Sequence, residues 1–139
     1  MDVVEGGCLC TAVRYRVTGT AIATSNCHCN SCRRASGAPS VAWVVLRATD
    51  FAYANGQPVA FRSSPSVIRT FCGTCGTPLT YQHDESPETI DVATATLDLP
   101  GRFAPTREIW LEHRIPWVPV NEALQLFPKS SRARPRSTP

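Results

Sequence analysis

The chain is 139 residues long, one domain's worth, since domains cluster near ~100–150 residues. With 42% hydrophobic and 18% charged residues, its composition is that of a soluble globular protein, neither disordered nor membrane-spanning. The net charge of +3 is local: Lys129, Arg132, Arg134 and Arg136 stand in the last eleven residues, which hold no acid, and 10 basic against 11 acidic residues remain elsewhere. The body therefore gives no charge argument for a nucleic-acid partner. Residues 1–128 are expected to form one ordered domain and 129–139 a solvated basic tail. The longest apolar run, Val41 to Leu46, is far shorter than the ~20 residues a membrane helix needs. Met1 to Gly7 has no basic region followed by an apolar stretch, so the expected location is cytoplasmic.

In chain order, Val13, Tyr15 and Val17 alternate with Arg14 and Arg16, which predicts a half-buried strand. Val41 to Leu46 predicts a strand buried on both faces. Phe51 to Ala54 and Val59 to Phe61 flank Asn55-Gly56, the pair best suited to a type I′ hairpin turn, and Pro58 points to a sheet edge. Further strands are expected over Val67 to Phe71, Leu79 to Gln82, Ile90 to Leu97 and Glu108 to His113. Asn121 to Phe127 suits a short helical turn capped by Asn121. Twelve prolines, all from Pro39 onward, exclude long helices there. The expected fold is mainly β and antiparallel.

Seven cysteines carry the chemistry, and they come in clusters: Cys8 and Cys10; Cys27, Cys29 and Cys32; Cys72 and Cys75. An odd count without an export signal argues against a disulfide framework and for metal. Cys72-Gly73-Thr74-Cys75-Gly76 has the form of a metal knuckle. Cys8 and Cys10, two residues apart on extended backbone, would supply the second pair of a closed Cys₄ zinc site. A redox-active C-x-x-C is the competing reading, although no βαβ pattern accompanies it. Iron is the alternative metal from ligand type alone.

Cys27, Cys29 and Cys32 can close on one ion without a partner from elsewhere. Three protein ligands with a vacant fourth position is the arrangement of a catalytic zinc. In the competing arrangement His28, His83 or His113 completes this site and makes it structural. On extended backbone, however, the His28 ring would point away from a metal shared by its neighbours. Three thiolates weaken zinc as a Lewis acid for water but suit an incoming thiol, which becomes a thiolate on coordination. The expected reaction is thiol addition to a carbonyl, or its reverse.

Gly7-Cys8-Leu9-Cys10 with Val13-Arg14-Tyr15, then Cys27-His28-Cys29-x-x-Cys32-Arg33-x-x-x-Gly37, then Phe71-Cys72-x-x-Cys75-Gly76, resemble the glutathione-dependent formaldehyde-activating (GFA) family. Ile109-Trp110 and Pro116-Trp117 resemble its C-terminal strand region. The resemblance covers about residues 5–127 and implies an Mss4-like fold of stacked antiparallel sheets. It implies two zinc ions: a structural one on Cys8, Cys10, Cys72 and Cys75, and a catalytic one on Cys27, Cys29 and Cys32. It also implies the formation of S-(hydroxymethyl)glutathione, a carbon–sulfur lyase assignment with a small-molecule thiol and aldehyde as partners.

Arg33 and Arg34 lie near enough in sequence to receive a glutathione carboxylate. His28 is the candidate proton relay, and Ser31 and Ser36 are candidate donors to a carbonyl oxygen. Trp43, Trp110 and Trp117 are expected in the core. The contrasting function is a non-catalytic zinc-binding interaction module, because the Mss4-like fold also hosts partner-binding proteins.

Overall fold

Alternating burial along short strands organises the computed structural model, which describes residues 3–131. Strands β1 (Val4–Gly7), β2 (Arg14–Val17) and β5 (Phe51–Asn55) form an antiparallel three-stranded sheet in the order β1-β2-β5. The larger sheet begins with β11 (Gln125–Leu126), β10 (Arg107–Ile109), β3 (Ala23–Cys27) and β4 (Val41–Arg47). It continues through β9 (Thr89–Ala93), β8 (Pro78–His83), β7 (Val67–Phe71) and β6 (Val59–Ser64). Its pairings are antiparallel except for β10, which runs parallel to both β3 and β11.

Strand β4 shows how the two cores divide. Trp43 to Leu46 are all buried, as expected of a strand covered on both faces. Val44 and Leu46 pack with Tyr15, Val17, Leu79 and Val92 between the sheets. Trp43 joins Val67, Tyr81, Ala93 and the three cysteines 27, 29 and 32 in a second cluster. Each cysteine group thus sits against its own apolar cluster.

The Asn55-Gly56 turn does not make the expected hairpin. Strand β5 pairs with β2, and β6 leaves for the other sheet to pair with β7. Phe51 packs against Tyr15 and Tyr53 at ring separations of 5.2 and 5.0 Å, so aromatic burial between the sheets outweighs the local turn preference. Gly56 keeps a left-handed φ of 73°, and a Cβ there would come within 2.0 Å of the Ala12 carbonyl oxygen. Strand β6 does form a sheet edge, as Pro58 suggested.

Other boundaries differ where the chain turns sooner than its apolar pattern implied. Strand β9 ends at Ala93 and gives way to a 3-10 turn, Thr94–Thr96, whose Thr96 hydroxyl meets Tyr15 Oη at 2.6 Å. Strand β10 ends at Ile109, because Trp110 adopts a left-handed φ of 56°. Asn121 caps a turn, with the Ala123 N–H donating to its side-chain oxygen at 3.0 Å, but no helix follows.

The helix α1 (Asn30–Ser36) was not expected from sequence. Cys29 is its N-cap, and Gly37 closes it with a left-handed φ of 69° and an N–H donated to Arg33 O at 2.8 Å. Contacts continue past residue 128: the Trp110 N–H donates to Lys129 O at 3.0 Å, and Arg107 donates to Ser131 Oγ at 3.2 Å. Residues 132–139, most of the expected basic tail, lie outside the described residues. Among the described residues no helix is long and apolar enough to cross a membrane.

Candidate metal centres

Two turns bring the first group together. Cys8 follows β1, and Cys10 lies in a tight turn rather than on the expected extended backbone, with Thr11 at a left-handed φ of 67°. The turn is closed by the Cys8 N–H donating to Val13 O and the Thr11 N–H to Cys8 O. Cys72 and Cys75 occupy the loop between β7 and β8, where the Gly76 N–H returns to Cys72 O at 2.8 Å. The Leu9 N–H donates to Thr77 Oγ1 at 3.1 Å and ties the two turns together.

All four Sγ atoms lie within 4.8 Å of one another, and Cys10 Sγ stands 3.7 Å from both Cys8 Sγ and Cys72 Sγ. Sulfurs around a tetrahedral zinc at about 2.3 Å stand about 3.8 Å apart, so this donor set fits a four-coordinate ion. Backbone amides support negative charge on the sulfurs: Val13 N–H donates to Cys8 Sγ at 3.3 Å and Thr74 N–H to Cys72 Sγ at 3.4 Å. The Thr77 hydroxyl and N–H bring the Cys75 thiol down to about 5.

The second group is assembled within six residues, Cys27 to Cys32. Cys27 ends β3, Cys29 caps α1, and Cys32 lies in its first turn, where its N–H donates to Cys29 Sγ at 3.2 Å. The three sulfurs lie within 4.8 Å of one another, and all three residues are buried. The neighbouring Cys27 and Cys29 thiols and the Arg69 guanidinium hold the Cys32 thiol well below its ordinary value, whereas Cys29, Cys32 and burial push Cys27 well above. Three buried sulfurs this close together, with a guanidinium beside one of them, are a donor set that fits a cation.

No histidine nitrogen belongs to either group among the described residues. His28 is fully buried, and its Nε2 meets Glu108 Oε1 at 3.0 Å. Glu108 also accepts from Asn26 Nδ2 at 2.7 Å and, through Oε2, from the Asn121 N–H at 3.0 Å. His113 Nδ1 accepts from the Asn30 N–H at 3.4 Å, and His83 Nδ1 from the Glu85 N–H. His28 is thus tied to strand β10, His113 to the start of α1 and His83 to the turn after β8.

Two cavities flank the three-cysteine group, and Cys32 and Trp43 line both. The smaller, of about 190 Å³, also meets Cys27, Ser25, Asp91, Arg107 and Trp110. The larger, of about 640 Å³, has Ser31, Ser36 and the exposed Arg34 on its wall, but not Arg33, whose guanidinium reaches back to Asn30 Oδ1 at 3.4 Å. Ser36 Oγ donates to Cys32 O at 2.8 Å. Trp43 is buried and Trp110 partly so, whereas Trp117 is 72% exposed and lies outside the expected core.

Arg69 was not singled out from sequence. It occupies the inward phase of β7 with Val67, 7% exposed, and both terminal nitrogens donate to Cys32 Sγ at 3.7 Å. Its Nε donates to Ser63 Oγ at 3.1 Å, and the guanidinium lies 5.0 Å over the Tyr81 ring. An arginine on the apolar phase of a short strand was the available signal.

Comparison with known proteins agrees with this arrangement. The family model described as glutathione-dependent formaldehyde-activating enzyme matches residues 3–113. The chain belongs to that family. It is 30% identical over 83 residues to an uncharacterised lyase of Schizosaccharomyces pombe, an overlap of 60% of each chain. A Rhodobacter sphaeroides protein of known crystal structure is similar at a TM-score of 0.58 and 26% identity, over 68% of this chain and 87% of that one. The family's fold and its cysteine clusters are therefore those expected from the sequence.

Proposed function

We propose that this GFA-family protein is a zinc-dependent, carbon–sulfur lyase-like enzyme that adds a thiol of the glutathione type to an aldehyde, or reverses that addition. The observation that carries the reading is the contrast between the two sulfur groups. One has four cysteines, a complete tetrahedral set; the other has three, with cavities beside Cys32 and no fourth ligand among the described residues. We assign Cys8, Cys10, Cys72 and Cys75 to a structural zinc and Cys27, Cys29 and Cys32 to a catalytic one. A zinc held by three thiolates offers an incoming thiol a position at which it is deprotonated.

The protein's own groups supply the surroundings. Arg69 offsets negative charge on Cys32, and Tyr81 and Trp43 limit water on that side. Arg34 at the wall of the larger cavity can pair with a substrate carboxylate. His28 orients the loop through Glu108, between the cysteine run and β10, and this buried pairing favours a positioning role over the proton relay expected from sequence.

The test is metal content per chain by elemental analysis, with zinc-edge absorption spectra before and after addition of glutathione. Two zincs, one of which gains a sulfur neighbour, are the expected result. Two closed sites indifferent to thiol would overturn the reading in favour of an interaction module. The Cys32→Ser variant should lose activity and keep its fold; loss of the fold would make that zinc structural.

A further inference from the structure

The larger cavity beside Cys32 is out of scale with formaldehyde. At about 640 Å³ it has the volume of a site for an organic ligand, within the usual range of roughly 300–1,000 Å³. A two-heavy-atom aldehyde would fill on the order of a tenth of it. Val41, Trp43, Phe61, Phe71 and Pro78 supply apolar walls. Phe61, on the edge strand β6, is 61% exposed.

The polar side chains on the same wall are mostly committed to one another. Thr70 Oγ1 meets Tyr53 Oη at 2.9 Å and Thr80 Oγ1 at 2.5 Å. Ser63 Oγ accepts from Arg69, the Arg69 terminal nitrogens donate to Cys32, and Ser36 donates to the Cys32 carbonyl. With these groups paired internally, most of the wall presents carbon to a ligand, and Ser31 and Arg34 are its polar exceptions. Water in such a space gains little, and an apolar group displaces it favourably.

We infer that this cavity receives an extended apolar group, of about hexyl or benzyl size, attached to the reacting sulfur–carbon unit. The inference rests on the proposed thiol–aldehyde reaction and names its substrate class: larger and more apolar than formaldehyde. The group enters on the aldehyde or on the thiol. In either case R–SH and R′–CHO give R–S–CH(OH)–R′. The S–C bond forms, the thiol proton ends on the former carbonyl oxygen, and nothing is oxidised.

Two measurements test this on the zinc-loaded full chain. Calorimetric binding of S-methylglutathione and S-hexylglutathione, which cannot react, reads the cavity alone. The hexyl compound should bind about tenfold tighter or better, and Phe61→Ser should shrink that ratio about threefold. Equal binding of the two compounds, or a ratio unchanged in Phe61→Ser, would overturn the inference.

Turnover is then followed with glutathione and formaldehyde, hexanal or benzaldehyde, and in parallel with hexanethiol and formaldehyde. A higher kcat/KM for hexanal or benzaldehyde places the group on the aldehyde, and for hexanethiol on the thiol; either supports the inference. Formaldehyde with glutathione as the best pair, with no hexyl preference in binding, sinks the inference and leaves the reaction standing. No turnover of any pair, with the hexyl preference intact, sinks the reaction and leaves the cavity's selectivity standing.

Discussion

Arg69 and Cys32 are 37 residues apart in the chain, yet both terminal guanidinium nitrogens of Arg69 donate to the Cys32 sulfur at 3.7 Å. The contact joins β7 of the large sheet to α1 and sets a buried positive charge against a group of three sulfurs. Zinc with three thiolates carries one net negative charge, and desolvating that charge without a counter-ion is costly.

Arg69→Met should therefore weaken retention of the ion at the three-cysteine group by about 10–100-fold, with Arg69→Lys recovering part of the loss. Competition with a chromophoric chelator checks this, because the Cys₄ ion serves as an internal reference that neither substitution should move. Release profiles identical to the unsubstituted protein would make Arg69 a packing residue only.

The Cys₄ group lies where the chain's first turn meets the loop between β7 and β8, so an ion held there would tie these two segments together. Cys72→Ser, at a residue 1% exposed, should unfold the protein or lower its melting temperature far more than Cys32→Ser does. Calorimetry of the two variants side by side reads the difference.

Glu108 is 2% exposed and accepts from Asn26, His28 and the Asn121 N–H. Burial alone would raise its pKa, but the Asn121, His28 and Asn26 hydrogen bonds outweigh burial and hold it below the ordinary glutamate value. A carboxylate depressed on folding contributes stability above its unfolded pKa and loses it as pH falls through the folded one. Glu108→Gln should cost about 2–3 kcal/mol at neutral pH, from the lost charge-assisted bonds in a buried site. Urea unfolding of both proteins should show that gap narrowing below about pH 4.5. A gap independent of pH would remove Glu108 as its source.

Gly56 adopts a left-handed φ of 73° where a Cβ would meet the Ala12 carbonyl at 2.0 Å, beside the turn that carries Cys8 and Cys10. Gly56→Ala combines backbone strain with a clash against main chain, and should destabilise by about 2 kcal/mol or more. The expected signature is a lower melting temperature together with faster loss of the Cys₄ ion to a chelator.

The sequence by itself determined the parts whose causes are local. Cysteine spacing made the metal groups legible, since C-x-x-C and C-x-C turns fix sulfur positions within a few residues. Alternation and proline marked most strands, and the buried run Val41 to Leu46 marked the strand that separates the two cores. The family followed from the same three clusters.

Tertiary structure decided the rest, for reasons of distance along the chain and of competition between local and global terms. Asn55-Gly56 has every local mark of a hairpin, but burial of Phe51 and Tyr53 sends its two strands into different sheets. Helix α1 is seven residues of weak propensity held by its Cys29 and Gly37 caps, too short for a periodic signal. Arg69 on Cys32, Glu108 on His28 and the cavity walls join residues dozens of positions apart. No local rule pairs such residues, because only the packing of the strands around the second apolar cluster brings them within reach of one another.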